Sequence, residues 1–193
     1  MFVDKKMYIG LYFGSFNPVH NGHIAIAECL YRQIGFDKIW FIVSPSNPLK
    51  AEKNLLDEHK RLELVKIAIK DKDYFFASDI EFQMEKPSYT YLTLRKIYAE
   101  YPQHTFALLL GGDSINNIFL WKNHEEILQN YIIYIYPRSE KTNIVAGKNI
   151  IYTDPPLLNI SSSLIREKIK KGEDIRCLVH PSVLRMIEKE GLY

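Results

Sequence analysis

The chain predicts an α/β fold, a doubly wound parallel sheet in a single domain, and two kinds of stretch predict it. Apolar runs such as Lys38 to Ser44 (KIWFIVS) and Thr105 to Leu110 (TFALLL) are too continuous for half-exposed strands and suit strands covered on both faces. Between them lie stretches with apolar residues three or four apart, and strands alternating with helices imply parallel pairing. A length of 193 residues, with 47% hydrophobic and 25% charged side chains, suits one globular domain with a substantial core.

In chain order, the first strand begins at Ile9 and is ended by Gly14, and Pro18 stiffens the turn that follows. A helix is expected from Ile24 to Gly35, with Ile24, Ala27, Tyr31 and Ile34 on one face. Lys38 to Ser44 is the second strand, residues 44–54 form a loop, and Leu56 to Ile69 returns to helical spacing through Leu62 and Val65. Tyr74 to Phe82 reads as extended, and Ser88 as the N-cap of a helix from Tyr89 to Tyr101 that Pro102 closes. The strand from Thr105 ends in Gly111, Gly112 and Asp113, followed by a short helix around Ile127, a strand from Tyr131 to Tyr136 and an extended piece from Ile150 to Thr153. Ser161 then caps a helix with Leu164, Ile165 and Ile169 on its apolar face, ended by Gly172.

The formal charge of +2 is too small to argue for nucleic acid, although Lys168, Lys170 and Lys171 form a local basic cluster. Cys29 and Cys177 are far apart and neither has metal-binding spacing. Two thiols, no signal peptide and no membrane-length apolar run lead us to expect a cytoplasmic protein without membrane attachment. His59, His104, His124 and His180 match no motif and are expected at the surface.

The most informative stretch is Ile9 to His23, IGLYFGSFNPVHNGH. Strand, Gly-bearing turn and helix N-terminus make a device for holding phosphate, because orphan N–H groups and the helix dipole both favour an anion. Gly14-x-Phe16-x-Pro18-x-His20-x-Gly22-His23 adds two imidazoles at that spot. Nucleotidyl transfer builds charge on the non-bridging oxygens and the pyrophosphate, so the chemistry needs positioned donors more than a base. Imidazole N–H groups can reach those oxygens, and Gly22 is expected to let the triphosphate approach the backbone. A second phosphate cradle is expected at Ile160 to Arg166 (ISSSLIR), where Ser161, Ser162 and Ser163 open a helix and Arg166 supplies a planar fork. Taken alone, that stretch reads better as a serine-capped amphipathic helix with a solvated arginine; beside the first motif, the phosphate-binding reading is the stronger.

The first stretch resembles the nucleotidyltransferase signature ending in [HT]-x-G-H, and with ISSSLIR it resembles the paired signatures of the bacterial nicotinate-nucleotide adenylyltransferases. EFQMEKPSYTYLTL (Glu81 to Leu94), LLLGGDSINNIFLW (Leu108 to Trp121) and the terminal Gly-Leu-Tyr extend the resemblance over nearly the whole chain. It implies a Rossmann-like nucleotidyltransferase domain over residues 1–193, with a helical part from about 160 carrying ISSSLIR. It implies transfer of AMP from ATP, carried with Mg²⁺, to the 5′-phosphate of nicotinate mononucleotide in NAD biosynthesis, without nucleic-acid or membrane partners. Oligomeric state stays open. By the same resemblance His20, His23 and Arg166 are catalytic, and Gly14, Ser15, Phe16, Gly22, Lys50 and the three serines bind ATP phosphates. Gly112, Asp113 and Arg138 serve the ribose and nucleotide, while Tyr89, Thr90 and Trp121 receive the nicotinate ring and carboxylate. Lys50 keeps a cation in its loop, whereas Leu49 stands where the family often has histidine. The alternatives are a relative acting on phosphopantetheine or with a cytidylyl donor, and a non-catalytic nucleotide-binding regulator.

Overall fold

The computed structural model describes residues 5–46, 55–137, 144–156 and 158–193. Six strands, β1 (Tyr8–Gly14), β2 (Lys38–Val43), β3 (Phe75–Ser78), β4 (Thr105–Gly111), β5 (Ile132–Tyr136) and β6 (Ile150–Tyr152), form one sheet in the order β3-β2-β1-β4-β5-β6. Every pairing is parallel, with Gly14 opposite Val43 and Leu11 opposite both Trp40 and Leu108. The order reverses between β1 and β4, so the crevice beyond their carboxyl ends is where such a sheet receives ligands.

The continuous apolar runs are explained by burial on both faces. Tyr12, Phe41, Val43 and Leu109 point into one core, where α1 (Asn21–Ile34), α2 (Glu58–Ile69), α6 (Ser162–Lys170) and α7 (Pro181–Glu190) pack. Leu11, Ile42, Leu108 and Ile133 alternate into the other, under α3 (Thr90–Glu100), α4 (Gly112–Ile115) and α5 (His124–Asn130). A period-2 strand with helices on both sides must be apolar at every position. No helix among the described residues is long and apolar enough to cross a membrane.

Several element boundaries differ from the sequence reading, each for a local reason. α1 starts at Asn21 and buries Gly22, His23, Ile26, Ala27 and Leu30, so its inner stripe is rotated from the expected one, leaving Ile24, Tyr31 and Ile34 at its margins. It ends at Gly35, whose φ of 77° is a left-handed cap. α2 begins two residues late because Asp57 accepts the His59 and Lys60 N–H groups as N-cap. The extended segment after α2 shrinks to β3, since Asp79 to Phe82 closes a turn through the Phe82 N–H. Of the four motif-free histidines only His59 is exposed. His104 Nδ1 accepts the Met7 N–H, His180 caps α7 by accepting the Ser182 N–H, and His124 is half-buried.

Candidate active site

A cleft of about 490 Å³ opens beyond the carboxyl ends of β1 and β4, at the sheet's reversal. The loop after β1, the start of α1, the start of α6 and the segments entering α3 and α5 all reach it.

The loop from Ser15 to His20 is buried almost throughout, and Phe16 holds a φ of 46°. A bulky side chain in that left-handed region costs on the order of 1–3 kcal/mol, so surrounding structure must hold it there. The early start of α1 makes His20 the N-cap residue and puts His23 in the first turn. Both rings are buried, and they stack with centroids 3.6 Å apart and planes 28° from parallel. The His20 backbone N–H donates to His23 Nδ1 at 3.2 Å, so that nitrogen is an acceptor and the ring proton sits on Nε2. The rings of Phe16 and Tyr12 meet His23 edge-on at 5.1 and 6.2 Å. Gly22 leaves room for this pair: a Cβ there would lie 3.0 Å from His20 Nδ1 and 3.5 Å from the Ile160 Cβ.

On the facing side, Ser161 caps α6 by accepting the Leu164 N–H. The Ser162 hydroxyl donates to the Pro18 carbonyl at 2.9 Å, which docks α6 onto the β1 loop. Arg166 donates from Nη1 to the Asn17 carbonyl at 2.6 Å and from Nη2 to Ser163 Oγ at 3.3 Å. The three hydroxyls are therefore not a bare phosphate cradle. Ser162 joins helix to loop, Ser163 supports the guanidinium, and the remaining Arg166 donors border the cleft.

The far wall carries the other expected residues. Asp113 is exposed to the cleft in the first turn of α4, with Gly112 buried beside it. Half-buried Trp121, Tyr89 and Thr90 line the same space. Lys122 Nζ sits 4.6 Å from the Tyr89 ring centroid, close enough for a cation–π contact. Ser88 does not cap α3: Tyr89 holds the N-cap position without a side-chain bond, and the Ser88 hydroxyl donates to Glu81 at 2.8 Å. Glu81, only 2% exposed, also accepts from Thr93 at 2.7 Å. Burial raises its pKa, and hydroxyl donation by Thr93, Ser88 and Ser44 partly opposes that. Lys50 and Arg138 lie outside the described residues.

Sequence reasoning thus assembled most of the cleft but missed Glu81 and Lys122. Lys122 stands next to the tryptophan the motif singled out, and that adjacency was the available signal.

With this geometry in view, the chain can be compared with known proteins. The model of the cytidylyltransferase-like family matches residues 11–168. A protein of Cytophaga hutchinsonii, named a probable nicotinate-nucleotide adenylyltransferase, is 43% identical over 189 residues, covering 97% of this chain and 98% of its own. A protein of Flavobacterium johnsoniae with the same name is 41% identical over 191 residues, covering 97% and 99%. Among solved structures, the nicotinic acid mononucleotide adenylyltransferase of Plasmodium falciparum complexed with NaAD aligns with a TM-score of 0.83 at 25% identity, over 98% of each chain. This chain belongs to the cytidylyltransferase-like family, among its nicotinate-nucleotide adenylyltransferases.

Proposed function

We propose that the cleft moves AMP from ATP to the 5′-phosphate of nicotinate mononucleotide, giving deamido-NAD and pyrophosphate. The observation that carries this reading is the meeting of two groups of donors in one cleft. The stacked His20–His23 pair at the start of α1 faces Arg166 of α6, which rests on the loop that leads into those histidines. A phosphate oxygen of the mononucleotide attacks the α-phosphorus of ATP, the bond from that phosphorus to the bridging oxygen breaks, and pyrophosphate leaves with the electron pair. The acceptor phosphate is already anionic at neutral pH, so no side chain need act as base. His23 donates through Nε2–H and Arg166 through its guanidinium to the oxygens on which charge grows. Mg²⁺ enters with the ATP phosphates, whose hard oxygens are its natural ligands.

The opposite wall suits a pyridine nucleotide. Trp121 offers a face for the ring, the start of α3 at Thr90 offers N–H groups to a carboxylate, and Asp113 can accept from a ribose diol. The complex of the Plasmodium falciparum enzyme with NaAD is in keeping with such a wall. The test is a panel of acceptors with ATP and Mg²⁺, scoring pyrophosphate release and the mass of the dinucleotide. Release with nicotinate mononucleotide is expected. Release only with phosphopantetheine, or only with CTP as donor, overturns the proposal in favour of another branch of the family.

A further inference from the structure

We propose that Arg61 is a positioning residue for the triphosphate loop: from beneath, it turns the Ser15 carbonyl inward and so presents the Phe16 N–H to the nucleotide. The inference rests on the cleft being a nucleotidyl-transfer site.

Arg61 lies in the first turn of α2 and is fully buried, at 0% exposure. Its guanidinium donates from Nε to the Leu56 carbonyl at 2.7 Å and from Nη2 to the Pro45 carbonyl at 2.9 Å. Nη1 donates to the Ser15 carbonyl at 2.6 Å and to the Ser44 carbonyl at 2.7 Å. These acceptors sit after β1, after β2 and before α2, so one planar fork joins three segments at the carboxyl end of the sheet. An ammonium group at that point could not span them.

The Ser15–Phe16 peptide is trans. In a trans peptide the C=O and N–H point in opposite directions, so a carbonyl turned down to Arg61 sends the next N–H away from it. Phe16 lines the cleft, and no acceptor among the described residues takes its N–H. Its φ of 46° is a backbone state that an aromatic residue keeps only when its neighbours impose it. Arg61, holding the preceding carbonyl, is one such constraint.

A second line of contacts leads from Arg61 to Arg166. Leu56, whose carbonyl accepts from Arg61, gives its N–H to Asn17 Oδ1 at 3.2 Å. The Asn17 carbonyl is the one on which Arg166 rests. Arg61 therefore fixes the front of the loop directly and its rear through Leu56 and Asn17, without lining the cleft.

Arg61→Lys keeps the charge and removes the fork. We expect its KM for ATP to rise about tenfold and kcat to fall about tenfold, while the affinity for nicotinate mononucleotide, read from tryptophan fluorescence, changes less than twofold. A purely structural role would lower Tm and the active fraction and leave KM for ATP unchanged; that result, in a variant folded by circular dichroism, overturns the assignment. Should Arg61→Lys not fold, the wild-type protein labelled with ¹⁵N-phenylalanine decides. The Phe16 amide resonance should move on saturation with a non-hydrolysable ATP analogue, and an unmoved resonance overturns the assignment. A wild-type protein that releases no pyrophosphate from ATP and nicotinate mononucleotide would show that the functional reading has failed instead. The Phe16 titration still tests the N–H that the assignment requires in that case, because it needs nucleotide binding and not turnover.

Discussion

The two nitrogens of the His23 ring have separate tasks, Nδ1 accepting the His20 N–H and Nε2–H proposed to serve the phosphate oxygens, so removing the ring separates two effects. Losing the Nε2–H should lower kcat by roughly 10²- to 10³-fold in His23→Ala, the usual cost of one preorganised donor to developing charge. Losing Nδ1 and the ring leaves the His20 N–H without its acceptor and empties space beside Phe16. We therefore expect a stability loss of about 1–2 kcal/mol, roughly 2–8 °C in Tm. Sequence alone suggests no such loss, because an imidazole at a helix mouth looks solvent-facing; pyrophosphate release and calorimetry on the same preparation check both parts. At Lys122 the expectation concerns selectivity. Its ammonium stands over Tyr89, beside the helix end proposed to receive the nicotinate carboxylate. The wild-type protein should prefer nicotinate over nicotinamide mononucleotide by at least about tenfold in kcat/KM, since an amide would set its NH₂ against backbone donors. Lys122→Ala should narrow that ratio, mainly through KM for the acid. An unchanged ratio would remove Lys122 from recognition.

Between elements, the site depends on a few polar ties. Ser162 joins α6 to the β1 loop, and Ser162→Ala should cost about 1 kcal/mol of stability and weaken ATP binding, as thermal titration would show. Glu81 holds the start of α3 through Ser88 and Thr93. Burial raises its pKa above the ordinary 4.5, so the folded protein binds this proton more tightly than the unfolded chain. The stabilisation that follows is complete below the unfolded value and is lost as pH rises through the folded one. Glu81→Gln lacks that titration, so the Tm of the wild type relative to this variant should fall as pH climbs from 4.5. A difference that stays flat with pH, or grows in favour of the wild type, contradicts it. The misplaced cap belongs to the same scale. Ser88 precedes a helix and so has the local signature of an N-cap, but Glu81, seven residues away, takes its hydroxyl.

For the molecule as a whole, the sheet and its cleft were legible because both depend on repeating local patterns. Strands covered on two faces must be apolar throughout, and the Gly14-to-His23 spacing encloses a turn and a helix mouth that fold locally. Arg61 and Glu81 were not legible, because a charged residue in a helix or loop ordinarily faces water and only tertiary packing buries it. The closeness of Gly22 to the His20 ring was not legible either, since it arises only through the turn geometry. A non-hydrolysable ATP analogue at one hundred times its Kd should stabilise the whole protein by about 2.7 kcal/mol, a Tm rise of roughly 5–11 °C. Arg166→Ala should shrink that rise, and an unchanged shift would place Arg166 outside the nucleotide site.

The tie between α6 and the β1 loop spans most of the chain: Ser162 meets Pro18 and Arg166 meets Asn17 across 144 and 149 positions. During synthesis on the ribosome, all six strands emerge before the helix that completes the clamp. A nascent chain can therefore present the glycine-rich turn and both histidines for some seconds without the arginine that faces them. If Arg166 has the role proposed above, catalytic competence should arrive in one late step, when the last helices dock, and a chain cut short before residue 160 is expected to release no pyrophosphate from ATP and nicotinate mononucleotide.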